Sequence, residues 1–281
     1  MKIGIVTDSP SDVPADMIER YRIEVIPASL VIEGKEYVDG IDISREEYYH
    51  RLPGMRHAPS TAAPSPADFA IHYQRLLSAG YEHVISIHIA EKLTSIPNFA
   101  RTAARDFPGK VTVVESGSLS LGSGFQAIAA AEASEMGLDL QTVLGIIRTT
   151  REHTRVGAAL DTMDYLRRSG RVPAAVAALG GMLSIKPVVE LREGVVRPLS
   201  AARTTRNAAQ ALFNFLIGLG PLERLAIMHT NAEQRAREFL NLLMTSPERK
   251  QIPREIRIVN VTPLIGTHIG PNGLGFAAVK A

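Results

Sequence analysis

Cysteine is absent from the 281 residues, and so is tryptophan. The first absence removes disulfide scaffolds, thiolate metal sites and cysteine nucleophiles together. Aromatic residues make up only 5% of the chain, so its core must be built from aliphatic side chains. Charge of one sign is also missing. Against 31 Lys+Arg stand 29 Asp+Glu, a net charge of +2, whereas neutralising a phosphate backbone needs a strongly basic face. Nucleic acid is therefore not expected as a partner. No uninterrupted apolar run approaches the roughly 18–20 residues of a bilayer span. The opening apolar stretch meets Asp8 too early for a secretory signal. The expectation is a soluble, cytoplasmic protein with no stable membrane insertion. Its eight histidines show no H-x-x-x-H or similar spacing, so neither a metal nor another cofactor is expected.

What is present is length enough for two domains and a regular alternation in the first half. Short β-rich runs at 2–7, 25–32, 84–89 and 110–114 are separated by helical patterns at 15–21, 45–52, 67–78, 97–106 and 120–136. Ser44 followed by Glu47 forms a capping-box pattern, and Ser65-Pro66 supplies an N-cap with a favourable first helical position. Strands separated by helices imply a parallel sheet covered on both faces, with ligands beyond the carboxyl ends of its strands. After a helix from Asp139 to about His153 the pattern changes. Runs at 185–191 and 195–202 flank Arg192-Glu193-Gly194, which reads as a hairpin turn, and strands and helices then alternate to the end. The expected fold class is α/β in two domains. Residues 1–152 form an N-terminal parallel-sheet α/β/α, Rossmann-like domain, and residues 153–281 a C-terminal α+β domain with a mixed sheet.

Five segments carry possible chemistry. Thr7-Asp8-Ser9-Pro10-Ser11-Asp12 ends the first strand, and an Asp there is either a phosphoryl acceptor or a turn former. The second Asp and Gly-Thr of a haloacid-dehalogenase-type phosphatase are missing, which favours the turn. Pro59 to Pro66, with Ser60, Thr61 and Ser65, is a hydroxyl-rich loop entering a helix N-terminus. It can bind an anion without a formal charge, or Ser65 can merely cap the helix. Leu93-Thr94-Ser95-Ile96-Pro97 repeats that arrangement after the next strand. Arg167-Arg168-Ser169-Gly170-Arg171 places three guanidinium groups around a helix end, complementing the dipole or gripping a carboxylate or phosphate. Ile265 to Gly275 is a glycine-rich loop whose positive-φ positions allow close backbone approach, with His268 inside it able to donate to an anion.

In this order the segments resemble the DegV family of bacterial fatty-acid-binding proteins, over nearly the whole chain. The likeness is carried by TDSPSDVP (7–14), VIPASLVIEGKEYVDGIDIS (25–44), STAAPS (60–65), VISIHIAEKLTSIPNFA (84–100), YLRRSGRVPAAVAALGGMLSIKPVVELREGVVRPL (165–199) and GTHIGPNGLG (266–275). The resemblance implies a non-catalytic protein that holds a long-chain fatty acid in a deep apolar tunnel. It implies that Thr61 and the loop of Thr94 and Ser95 receive the carboxylate, and that the protein presents it to a separate ATP-dependent fatty acid kinase for acyl-phosphate formation. Arg171, Arg203 and His268 match family residues around the head group or the kinase-docking surface. The second loop departs from the family pattern Ser-Gly-Thr. Thr94 holds the serine position and Ser95 replaces the glycine, so either hydroxyl is a candidate, with Thr94 preferred by position. The competing readings are a phosphoryl-transfer enzyme of related architecture and a regulatory module for a small anion. The first of these lacks a G-x-x-x-x-G-K-[ST] motif.

Overall fold

The computed structural model describes residues 1–170 and 185–281. They form two compact units, Met1–Ser29 with Ala62–His153, and Leu30–Thr61 with Thr154–Ala281. The sequence reading kept residues 1–152 together, whereas these units place Leu30–Thr61 with the C-terminal half.

The chain begins with β1 (Ile3–Asp8), buried along its whole length, which runs into a 3-10 turn at Ser9–Ser11. Helix α1 (Ala15–Tyr21) starts on Pro14, and β2 (Glu24–Ile26) pairs parallel to β1 with Glu24 opposite Val6. The single strand expected over 25–32 is in fact two. Proline has no N–H to donate to a continuing ladder, and Pro27 separates β2 from β3 (Ser29–Ile32), which joins another sheet. A two-residue turn, Glu33 and Gly34 at φ +48° and +83°, leads into β4 (Lys35–Val38). Helix α2 (Arg45–Arg51) is capped by Ser44, whose Oγ accepts from the Glu47 N–H at 3.1 Å. Part of the loop expected around Thr61 is the short strand β5 (Ser60–Ala62), which completes a sheet of order β4-β3-β5. Three residues flanked by prolines give no periodic signal.

Helix α3 (Pro66–Ser78) opens on a full capping box between Ser65 and Asp68. Then follow β6 (His83–His88), α4 (Ile96–Ala104), β7 (Val111–Glu115), the Ala-rich and largely buried α5 (Leu121–Glu135), and α6 (Leu140–His153). Asp139 accepts from the Thr142 N–H at 3.0 Å and hydroxyl at 2.8 Å, and these bonds hold its carboxyl below the usual range. The first unit's sheet has the order β2-β1-β6-β7, every pair parallel, as expected. Chain order reverses at β1, which makes the carboxyl ends of β1 and β6 the switch point where such folds bind ligands.

The second unit continues with β8 (Thr154–Ala159), α7 (Asp164–Ser169), β9 (Lys186–Arg192), β10 (Val195–Ala202), α8 (Thr205–Ile217), β11 (Leu222–His229), α9 (Glu233–Thr245), β12 (Arg257–Asn260), α10 (Pro263–Ile269) and β13 (Leu274–Lys280). Its sheet has the order β10-β9-β8-β13-β11-β12. Only β11 and β12 pair parallel, so the sheet is mixed. The β9–β10 hairpin turns at Glu193 and Gly194, φ +52° and +71°. Leu212, Leu216, Ile227, Phe239, Leu243 and Phe276 centre its core. Among the described residues no helix is long and apolar enough to cross a membrane.

Candidate functional site

In the first unit, polar groups gather at the switch point. Asp8 closes β1, and His88 closes β6 beside it. Both are fully buried. The Tyr73 hydroxyl donates to Ser86 Oγ at 2.8 Å, Ser86 Oγ lies 2.6 Å from His88 Nε2, and His88 Nδ1 lies 3.0 Å from Asp8 Oδ2. A carboxylate only accepts, so the imidazole proton belongs on Nδ1, and Ser86 must donate to the lone pair on Nε2. Each hydrogen of the chain Tyr73, Ser86, His88, Asp8 is then used once. Burial pushes the Tyr73 hydroxyl well above its ordinary pKa, so it remains a donor. Asp8 Oδ2 also accepts from the Ile89 N–H at 3.1 Å, and Ser9 Oγ accepts from the Ala28 N–H at 3.2 Å. The turn-forming reading of Asp8 and Ser9 is thus the structural one. Asp12 does not cap α1. Its Oδ2 instead accepts from Ser120 Oγ at 2.6 Å, and Pro14 is the N-cap.

Five buried polar atoms of this unit have no hydrogen-bond partner among the described residues: Asp8 Oδ1, Ser11 Oγ, Ser118 Oγ, Ser123 Oγ and Gln126 Oε1. They come from the turns after β1 and β7 and from the first two turns of α5. Unsatisfied buried groups are rare because each costs about 1–3 kcal/mol. Their concentration at the carboxyl end of this sheet marks the part of this unit that departs from ordinary core construction.

Thr94 and Ser95 lie on the connection from β6 to α4. Thr94 is half-buried, and its Oγ1 accepts from the Ile96 N–H at 3.3 Å, leaving its hydroxyl hydrogen available to donate. Ser95 is exposed and is the N-cap residue by position, without a side-chain cap bond. Pro97 contributes no N–H, and the Asn98 N–H is taken by the Ser95 carbonyl at 3.0 Å. The amide donors expected at this helix start are therefore few, and hydroxyls dominate. The α3 start is likewise occupied. Asp68 Oδ2 accepts from both the N–H and the Oγ of Ser65, at 2.7 and 2.8 Å.

The second unit contains a cavity of about 350 Å³. Thr61 and His268 both line it, together with Arg56, His57, Ser60 and Arg168. Thr61 arrives on β5, and its hydroxyl makes no hydrogen bond among the described residues. His268 was expected in a loop. It sits in the last turn of α10, a helix that Thr262 caps through the Leu264 N–H at 3.0 Å and Pro263 initiates. The glycines there act by close approach. A Cβ at Gly266 would lie 2.3 Å from Tyr49 Oη, and one at Gly270, φ +78°, would lie 2.3 Å from the Tyr165 ring. Behind the wall, Thr267 donates to the Pro263 carbonyl at 2.9 Å, which obliges Tyr48 Oη, 2.6 Å away, to donate to Thr267. Burial raises the Tyr48 hydroxyl far above its ordinary pKa and fixes that direction.

Arg168 lies near the end of α7, which Gly170 closes at φ +65°. Arg203 is exposed between β10 and the cap Thr204 and is not among the cavity's described lining residues. Arg171 lies outside the described residues. Sequence reasoning passed over Arg56 and His57, which have no motif around them. It also passed over the Asp8–His88 pair, 80 positions apart, for which the one available signal was a histidine ending a buried strand. Among the described residues no group of three or more His, Asp or Glu is placed to hold a metal ion.

Comparison with known proteins places this geometry. The model of a family described as "Uncharacterised protein, DegV family" matches residues 2–281. A DegV domain-containing protein of Streptomyces coelicolor is 32% identical over 278 residues, covering 97% of this chain and 96% of the relative. Another, from Caldanaerobacter subterraneus, is 32% identical over 280 residues, covering 98% and 97%. Among solved structures, a Thermus thermophilus DegV family protein described by its fatty acid binding superposes with a TM-score of 0.93 at 31% identity, over 100% of both chains. A Thermotoga maritima DegV lipid binding protein gives 0.87 at 27% identity, over 99% of this chain and 98% of that one. With nearly its full length matched by the family model and by these relatives, the chain belongs to the DegV family.

Proposed function

We propose that the protein binds a long-chain fatty acid, holding its carboxylate through the hydroxyls of Thr61 and of Thr94 or Ser95, and presents that carboxylate to a separate ATP-dependent kinase. The observation that carries this reading is the Thr61 hydroxyl, which has no hydrogen-bond partner among the described residues and lies on the wall of a cavity with several cationic and polar residues. The fatty acid binding of the Thermus thermophilus relative supports it. A carboxylate withdrawn from water costs several kcal/mol unless its hydrogen bonds are replaced, and hydroxyl donors replace them without adding charge. The acyl tail, placed in the aliphatic interior of the first unit, contributes about 0.8 kcal/mol per buried CH₂. Tail burial therefore supplies most of the affinity and the head group supplies orientation.

In the coupled reaction a carboxylate oxygen bonds to the γ-phosphorus of ATP as the bond to ADP breaks. The kinase supplies that chemistry. We read this chain as the binding partner, because Asp8, its best-placed acceptor for a phosphoryl group, is fully buried and engaged by His88 and Ile89. His268, Arg171 and Arg203 are assigned to handing the ligand on. Native mass spectrometry of the purified protein tests the reading. A co-purifying mass equal to a fatty acid is expected, and Thr61→Val should weaken fatty-acid binding about tenfold to a hundredfold. Denatured protein that yields no lipid, with no fatty-acid binding by calorimetry, refutes it.

A further inference from the structure

The connection from β6 to α4, which carries Thr94 and Ser95, is fixed at its start through successive backbone amides. The Ile89 N–H donates to Asp8 Oδ2 at 3.1 Å, the Ala90 N–H to the Ser118 carbonyl at 2.7 Å, and the Glu91 N–H to Glu115 Oε1 at 3.1 Å. The acceptors come from different segments: β1, the turn after β7, and β7 itself. Asp8 and Ser118 are core residues, whereas Glu115 lies at the rim.

Glu115 is itself held. Its Oε2 lies 3.1 Å from Arg151 Nη2, and Arg151 Nη1 donates to the Glu115 carbonyl at 2.7 Å. Gly117, φ +65°, makes room for this guanidinium, since a Cβ there would lie 3.0 Å from Arg151 Nε. The two carboxylate oxygens thus have separate partners, which fix the side chain in one orientation. An ion pair with an exposed arginine adds little to stability. What this one does is hold the backbone just ahead of Thr94. On the far side, Arg101 Nη1 bonds Glu91 Oε2 at 2.7 Å and Asn98 Oδ1 at 2.9 Å, tying α4 to the same residue. Glu91 is therefore gripped through both its amide and its carboxylate, and Thr94 lies in the stretch of chain that these grips close.

We propose that Glu115, oriented by Arg151, is a positioning residue for ligand binding: by holding the Glu91 N–H it sets this connection so that the Thr94 hydroxyl is in place before the ligand arrives. The proposal rests on the reading of this connection as a head-group contact and adds the residue that orders it. Order present in the free protein is entropy that binding need not remove.

The test is a double-mutant cycle in oleate affinity, measured by calorimetry on lipid-stripped wild type, Glu115→Ala, Thr94→Val and the double variant. Thermal melts confirm folding. Glu115→Ala should weaken oleate binding about threefold to tenfold, but less than about twofold in the Thr94→Val background. Glu115→Gln, which keeps an oxygen for the Glu91 N–H, should recover part of the loss. Amide hydrogen exchange at residues 91–95 should quicken in Glu115→Ala. Unchanged affinity, or the same loss in both backgrounds, overturns the proposal. If Thr94→Val does not weaken binding, the cycle is repeated with Ser95→Ala and judged in the same way. If neither hydroxyl variant weakens binding, or wild type binds no oleate, the head-group reading fails by itself, and exchange then decides. Faster exchange at residues 91–95 in Glu115→Ala upholds Glu115 as the residue that orders this connection, and unchanged exchange overturns it.

Discussion

Two glycines of the first unit should respond with opposite signs to the same substitution. Gly124 lies in the first turns of α5, and a Cβ there would stand 2.6 Å from the Ser11 carbonyl oxygen, 2.9 Å from Leu121 Cδ2 and 3.2 Å from Val13 Cγ2. Leu121 and Val13 are side chains with some freedom. The Ser11 carbonyl is backbone, in a turn pinned on several sides. Asp12 N–H donates to the Ser9 carbonyl at 3.1 Å, Ser120 N–H to the Pro10 carbonyl at 3.0 Å, and Ser120 Oγ to Asp12 at 2.6 Å. Relieving the contact means moving that turn or the helix. Overpacking of this kind costs about 1–3 kcal/mol, and alanine's helix preference over glycine returns roughly 0.5–1 kcal/mol. Gly124→Ala should therefore destabilise by about 0.5–2 kcal/mol. Gly145 lies inside α6 with nothing within 4 Å of its would-be Cβ, so Gly145→Ala keeps the propensity gain alone, about 0.5–1 kcal/mol. At about 2–4 °C per kcal/mol for a chain of this size, the melting temperatures should move in opposite directions. The assay is calorimetric melting of lipid-stripped protein, since bound ligand would raise both values. A Gly124→Ala protein as stable as wild type would show that the Ser11 carbonyl does not press on α5.

Other consequences are separately measurable. Thr94→Val should weaken fatty-acid binding about tenfold to a hundredfold while Ser95→Ala changes it little, and loss confined to the Ser95 variant would move the contact by one residue. His268→Ala and Arg171→Ala should bind fatty acid nearly normally yet fail in kinase-coupled acyl-phosphate formation, and a binding loss comparable to that of Thr61→Val would reverse the roles. His88→Leu removes a donor to Asp8 and the acceptor of Ser86, costing about 2–4 kcal/mol, and in a double-mutant cycle with Asp8→Asn the effects should be clearly less than additive. His229 is held below its ordinary pKa by burial, with Arg45 lowering it further and Glu233 opposing, and its Nδ1 accepts from the Ala232 N–H at 3.1 Å. Because the unfolded chain binds that proton more tightly, the stability from this group is present above about pH 6.5 and is lost as pH falls toward the lower folded value. The urea midpoint of wild type should drop more than that of His229→Asn between about pH 7.5 and 5.5, and equal drops would remove His229 as a cause.

Much of the first unit was legible because its signals are local and regular. The capping pattern at Ser65, the glycines at 80 and 137 and the apolar runs of β1 and β6 set the element order and hence a parallel sheet. The β9–β10 hairpin was legible for the same reason, through Glu193-Gly194. The strand run at 25–32 misled because both pieces are apolar and only Pro27 marks the change of sheet. His268 was placed in a loop on the strength of the four glycines around it, and tertiary contact with Tyr49 and Tyr165 explains two of those glycines better than loop freedom does. The hydroxyls of Thr61, Thr94 and Ser95 could be named from residue type and position beside strands and helix starts. Arg56 and Arg168 could not be separated by any rule of spacing from Arg51 and Arg167, which approach Glu47 and Asp164, because the difference, no acidic partner among the described residues, exists only in three dimensions.

The excursion of Leu30–Thr61 into the second unit has a consequence for the order in which the protein is made. A ribosome releases β1 and β2, then this segment, then everything else the first unit needs by His153. The first unit can therefore close around a tethered stretch that carries Leu30, Tyr48 and Tyr49, all nearly inaccessible to solvent in the finished protein. Its own partners arrive only with the last third of the chain. Tyr49 waits for the carbonyl of Val261 and Tyr48 for Thr267, more than 200 positions later. Closing loops of that length is slow, and surfaces left uncovered meanwhile are where nascent chains aggregate. Thr61, the last residue of the excursion, takes up its final surroundings only when synthesis is nearly over, so the newborn protein should acquire binding competence late and all at once.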